Sequence, residues 1–74
     1  MSKLPIISGD RAVKCFQKIG YQVIRQRGSH IRMHHSDKLK EPLTIPRHKQ
    51  LGRGLIRKIL RDADLTIEEF LKLL

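Results

Sequence analysis

Tyr21-Gln22-Val23-Ile24-Arg25-Gln26-Arg27-Gly28-Ser29-His30-Ile31-Arg32-Met33-His34-His35 decides the fold, because it reads as a strand, a glycine turn and a returning strand. Tyr21, Val23 and Ile24 are residue types that favour strands, and the segment Tyr21 to Arg27 is closed by Gly28. Glycine adopts positive φ without steric cost, so a tight reversal at Gly28 puts Ile31 to His35 alongside the first strand. Side chains reverse at every residue of a strand. Ile31, Met33 and His35 therefore fall on one face, and His30, Arg32 and His34 on the other. When the Ile31 and Met33 face meets a helix layer, His30 and Arg32 stand exposed together.

Working outward, Ser8 offers a side-chain oxygen to cap a helix predicted from about Gly9 to Ile19. Ala12, Val13, Phe16 and Ile19 recur at spacings of three and four, with Cys15 on the flank, and Gly20 stands where a left-handed helix end is expected. Ahead of it, Met1 to Ile7 forms a short lead in which Pro5 opposes helix. On the other side of the hairpin, Ser36-Asp37-Lys38 makes a polar turn, and Leu43-Thr44-Ile45 supplies a third strand stopped by Pro46. A second helix is predicted from Gly54 to Arg61, with Leu55, Ile56, Ile59 and Leu60 as its apolar stripe. Thr66 and Glu69 have the spacing of a capping box, with Leu65 and Phe70 at the flanking apolar positions, and a short last helix follows. The expected architecture is α+β: a two-layer sandwich with a three-stranded antiparallel sheet and helices on one face. Its order is α-β-β-β-α plus a short C-terminal helix, in one domain over residues 1–74.

Charge narrows the function. Sixteen Lys and Arg stand against seven Asp and Glu, a formal net charge of +9. Residues 1–50 carry 11 basic residues against Asp10, Asp37 and Glu41, which is +8, and residues 51–74 carry 5 against 4, which is +1. Such a field favours polyanions through counterion release, and the basic residues interleave with strands and turns instead of lining one amphipathic helix. Nucleic acid is the expected ligand. No apolar run reaches the roughly 18 residues of a membrane span, and the single Cys15 rules out an internal disulfide and suits a reducing cytoplasm.

An imidazole is suited to move protons near neutral pH. In RNA cleavage a general base takes the proton of the 2′-hydroxyl while cations stabilise the charge developing on phosphorus, giving a 2′,3′-cyclic phosphate. His30 is the candidate base, and Arg25, Arg27, Arg32, Arg47, Lys49 and Arg53 are candidate phosphate contacts. The residues alone leave a second reading open, in which His30 hydrogen-bonds the turn or contacts a phosphate in a non-catalytic RNA-binding module. His48 lies between Arg47 and Lys49, either as a helper of His30 or as a solvated loop residue. His34-His35 does not form a metal pair, because adjacent strand residues face opposite ways and no further Cys or carboxylate completes a set. No metal or other cofactor is expected. The scarcity of aromatic residues argues against a base-stacking sheet, and no P-loop, nucleophile elbow or EF-hand is found.

Together, Gly28-Ser29-His30 in the first hairpin, then Ile45-Pro46-Arg47-His48, then Gly54-Leu55 leading into Ile59-Leu60 are similar to the pattern of the HicA (YcfA-like) toxins. The likeness runs from Ser8-Gly9 through Glu68-Glu69-Phe70, and its combined spacing is far more specific than any one fragment. This resemblance implies a double-stranded-RNA-binding-domain-like fold. It implies an mRNA interferase that works without the ribosome, slows translation, and is neutralised in a hetero-oligomer by a HicB-type antitoxin. It further implies that His30 is the catalytic residue, carried on the turn Gly28 and Ser29, and that His48 is the second histidine of the pattern, with a supporting or RNA-binding role. Arg53, Arg57 and Lys58 stand at the start of the last long helix, where double-stranded-RNA binders carry basic residues.

Overall fold

The computed structural model describes residues 3–74, so Met1 and Ser2 of the expected N-terminal lead lie outside the described residues. Its elements follow in the order α1 (Gly9–Gln17), β1 (Tyr21–Arg27), β2 (His30–His35), β3 (Leu43–Pro46), α2 (Arg53–Asp62) and α3 (Ile67–Leu71). The three strands form an antiparallel open sheet in the order β1-β2-β3. Ile31 and Met33 of β2 and Leu43 and Ile45 of β3 point into the core, where they meet Val13 and Phe16 of α1 and Ile56, Ile59 and Leu60 of α2. The other sheet face is open. This is the expected α+β sandwich with its α-β-β-β-α order and a short helix at the end.

Most element ends agree with the sequence reading, and the exceptions have local causes. Ser8 caps α1, its Oγ accepting from the Arg11 N–H at 3.1 Å. The helix stops at Gln17, two residues before Ile19, because Lys18 and Ile19 donate to the carbonyls of Cys15 and Phe16 in a tightened last turn. Gly20 follows at φ +102°. β3 includes Pro46, which pairs with His30 at the end of an edge strand, where its missing N–H is tolerated. Thr66 and Glu69 form the complete capping box of α3. The Thr66 backbone N–H, and then its side chain, hold the Glu69 carboxyl below its ordinary range. A depressed carboxyl stabilises the fold above its unfolded pKa, and that contribution is lost as pH falls through the lowered value.

Phe16 is the hub of the core, edge-on to Tyr21 at 5.9 Å between ring centroids and 5.6 Å from Phe70 of α3. Tyr21 is buried with its hydroxyl donating to the Glu41 carbonyl at 3.0 Å, and burial pushes its pKa up. Cys15 is likewise buried, and burial raises the thiol pKa against the opposing pull of Lys18 and Arg11. A thiol so placed is inert.

The N-terminus of α1 is pressed against the end of β3. The Gly9 N–H donates to the His48 carbonyl at 2.9 Å, and a Cβ on Gly9 would overlap the Pro46 carbonyl oxygen. That oxygen belongs to backbone and cannot swing away. Gly9→Ala is expected to cost about 1–3 kcal/mol of stability, read as a lower urea midpoint at unchanged slope; a midpoint equal to that of the parent would contradict the close approach.

Candidate active site

β1 holds a phase conflict. Tyr21 and Val23 belong to the core side of the sheet, opposite His35 and Met33, and strict alternation would carry Arg25 and Arg27 to that same side. One extra residue resolves it. The register slips between Val23 and Arg25, so that Ile24 is the inserted residue of a β-bulge, and Arg25 then pairs with Arg32 and Arg27 with His30. The bulge turns both arginines onto the open face. Its local cost is visible in Val23 and Ile24, which remain 44% and 49% exposed at the sheet edge.

His30 is the first residue of β2 and sits beside the two-residue turn Gly28-Ser29. Gly28 has φ +56° and Ser29 has negative φ, the pattern of a type II′ hairpin turn, whose twist matches the strands it joins. Three contacts brace this turn. The Gln26 side-chain amide donates to the Gly28 carbonyl at 3.0 Å, the Arg47 backbone N–H donates to the Ser29 carbonyl, and the Arg47 guanidinium is held by Asp10 at 3.1 Å. The imidazole is thus carried by hydrogen-bonded backbone on both sides.

Arg25, Arg27, His30, Arg32 and Thr44 line one open cleft of about 210 Å³. Thr44 orients the cleft by accepting a 2.7 Å hydrogen bond from the Arg32 guanidinium. Among the described residues no carboxylate lines this cleft. A ligand entering it meets three permanent positive charges and one imidazole.

The other predicted residues lie elsewhere. Arg47 leaves the cleft and pairs with Asp10, both about half exposed. His48 and Lys49 are exposed in the segment after β3, and neither lines the His30 cleft. Arg53 opens α2, where its Nε donates to the Leu4 carbonyl at 3.4 Å beside a separate depression with Ile6, Gln50 and Leu51. Sequence reasoning missed Thr44, which lines the cleft, and Asp10 and Gln26, which act on it through other residues. It also missed the bulge, whose signal was present: apolar residues at 21 and 23, then arginines at 25 and 27, all at odd positions of one strand.

Among the described residues no three His, Cys, Asp or Glu side chains gather as a ligand set for a metal ion. His34 and His35 face opposite sides of the sheet, as expected, and both ring nitrogens of His35 are engaged, with the Ile19 carbonyl at 2.7 Å and the Asp37 N–H at 2.9 Å. No helix among the described residues is long and apolar enough to cross a membrane.

The geometry defines a small basic α+β protein in which one sheet face is buried by helices and the other offers a histidine among guanidinium groups. Within that class, the chain belongs to the family of HicA toxins of bacterial toxin–antitoxin systems, whose family model matches residues 9–65. The matched region runs from the first residue of α1 to Leu65, and so contains the bulge, the His30 turn and the Arg32–Thr44 contact. No curated protein matches the chain. A toxin of this kind has a cognate antitoxin as its partner.

The turn makes a direct prediction. Nothing stands within 4 Å of a Cβ built on Gly28, so Gly28→Ala meets no steric clash and is charged only for positive φ, about 1–2 kcal/mol. Replacement of Gly28 by D-alanine in a synthetic chain should restore the parent's denaturation midpoint. Equal destabilisation by both alanines would contradict the turn geometry.

Proposed function

We propose that this toxin is a metal-independent endoribonuclease, an mRNA interferase, in which His30 is the catalytic base. The single observation that carries the reading is the cleft itself: an exposed imidazole fixed beside a hairpin turn and surrounded by Arg25, Arg27 and Arg32, with no carboxylate among the residues lining it. His30 takes the proton of a ribose 2′-hydroxyl, and the freed oxygen attacks the adjacent phosphorus. The bond to the 5′-oxygen of the next nucleotide breaks, leaving a 2′,3′-cyclic phosphate and a 5′-hydroxyl. The proton returns to the departing oxygen from the imidazolium or from water. The guanidinium groups stabilise the charge that builds on the phosphoryl oxygens.

Among the described residues His30 is the one histidine of this cleft, with no second imidazole lining it to protonate the leaving group. Turnover should be slow beside ribonucleases that use two. Slow cleavage of message still arrests translation, which fits a toxin held in check by an antitoxin. That antitoxin is of the HicB type and acts in the cytoplasm, covering the basic face in a hetero-oligomer. Arg47, His48, Lys49 and Arg53 lie outside the cleft and serve as phosphate contacts along the flanking surface.

Replacing His30 by Ala should lower RNA cleavage by about 10²- to 10⁴-fold, the usual worth of a general acid or base, with circular dichroism and the denaturation midpoint unchanged. Parent protein should cut equally well in EDTA. His30→Ala protein that cuts at the parental rate would overturn the mechanism, and intact RNA recovered from a salt-sensitive complex with the parent would favour a non-catalytic RNA-binding module.

A further inference from the structure

Resting on the reading of the open sheet face as an RNA surface, we infer that the cleft formed by His34, Lys38 and Lys40 at the far end of that face is a second phosphate subsite. The outward positions of β2 do not end at Arg32. His34 is the next, paired across the ladder with the outward Gln22 of β1. On the other side, Pro42 lies two residues before Thr44 and continues its outward line toward His34. A second open cleft of about 240 Å³ lies there, lined by His34, His35, Lys38, Lys40 and Pro42, and like the His30 cleft it holds no carboxylate. The two clefts share no lining residue: Arg32 and Thr44 border the first, and His34 and Pro42, the next outward positions along β2 and ahead of β3, border the second.

Spacing makes them two subsites instead of one. His34 lies four positions beyond His30, about 13 Å along a strand, more than one phosphate group spans. Each cleft therefore takes its own phosphate of a strand laid along β2.

The two lysines of the second cleft differ in their surroundings, and Lys38 is the freer cation. Among the described residues Lys38 takes part in no ion pair, and Lys40 lies 4.0 Å from Asp64, whose side chain is 92% exposed. Such a surface pair contributes little. Asp37 accepts from the Leu39 N–H at 2.9 Å, and Asp37, Glu41, Asp62 and Asp64 line a neighbouring depression that Lys40 also borders. His35 is wall and not ligand, since its two nitrogens are committed to the Ile19 carbonyl and the Asp37 N–H; these contacts hold the loop that carries Lys38.

The test uses full-length His30→Ala protein, so that binding is read without cutting, and a length series of single-stranded oligouridylates starting from the dinucleotide. Lys38→Ala/Lys40→Ala is compared with Lys14→Ala/Lys72→Ala, which removes the same charge from the helical layer. The dinucleotide should bind both double variants equally. Once the strand is long enough to span both clefts, the Lys38/Lys40 variant should bind less tightly by about fivefold per lysine at 0.1 M salt. Its plot of log affinity against log salt should be shallower by about 0.7 for each phosphate that the missing lysines would have neutralised. Equal losses in the two variants at every length, or a loss already complete at the dinucleotide, would overturn the subsite. Failure of both parent and His30→Ala proteins to bind any oligonucleotide would overturn the RNA reading itself, and the subsite with it.

Discussion

The structure depends on one inserted residue in β1. The first half of that strand must turn Tyr21 inward, because its ring closes the core against Phe16, and the second half must turn Arg25 and Arg27 outward. An unbroken strand cannot do both. Val23, on the core side of the same strand, is already 44% exposed, so without the slip Arg25 and Arg27 would stand along the rim of the core and the open face would lose two of its three cleft arginines. The bulge at Ile24 removes that conflict at the expense of two apolar side chains left partly exposed on an edge strand. Because of it, Arg25 and Arg27 face Arg32 and His30 across the ladder, and the open face becomes a concentrated cationic surface. Like charges this close repel one another when the face is empty, so the arrangement favours a polyanion that separates and neutralises them.

A second constraint ties that face to the helices behind it. Gly9 lets the start of α1 approach the backbone of Pro46, and the Gly9 N–H holds the His48 carbonyl. Arg47, between those two residues, donates its N–H to the Ser29 carbonyl and its guanidinium to Asp10. Helix, strand exit and hairpin turn are thus linked by consecutive residues. Small domains have little apolar burial to spare, and here backbone hydrogen bonds position His30 where packing alone would leave a mobile loop. Arg47 illustrates the consequence: its backbone and its guanidinium both brace the turn that carries His30.

Much of this was legible in the sequence, for physical reasons that differ by element. β1 matched its predicted bounds because Gly20 and Gly28 mark both ends, and the alternation of β2 separated His30 and Arg32 from Ile31 and Met33. Caps at Ser8 and Thr66 were legible because capping is local chemistry. What was not legible is long-range. The pairing of Arg47 with Asp10 joins residues 37 apart in the chain, and positive charge alone does not tell an arginine on the cleft from one that braces a turn. Arg53 and Lys49 joined the candidate site by charge and lie outside the cleft for the same reason. The resemblance to the HicA toxins was carried by spacing over the whole chain, and the family match over residues 9–65 bears it out.

In the proposed reaction His30 removes a proton from the ribose 2′-hydroxyl next to the broken bond. The most direct measurement pairs an RNA of defined sequence that the parent protein cuts with the same RNA carrying one 2′-deoxynucleotide immediately 5′ of the cleaved bond. With His30 as the base, the all-ribose strand yields a 2′,3′-cyclic phosphate and a 5′-hydroxyl, and the substituted strand stays intact at that bond. Cleavage of the substituted bond at a comparable rate, or a product ending in a 5′-phosphate, would contradict that role.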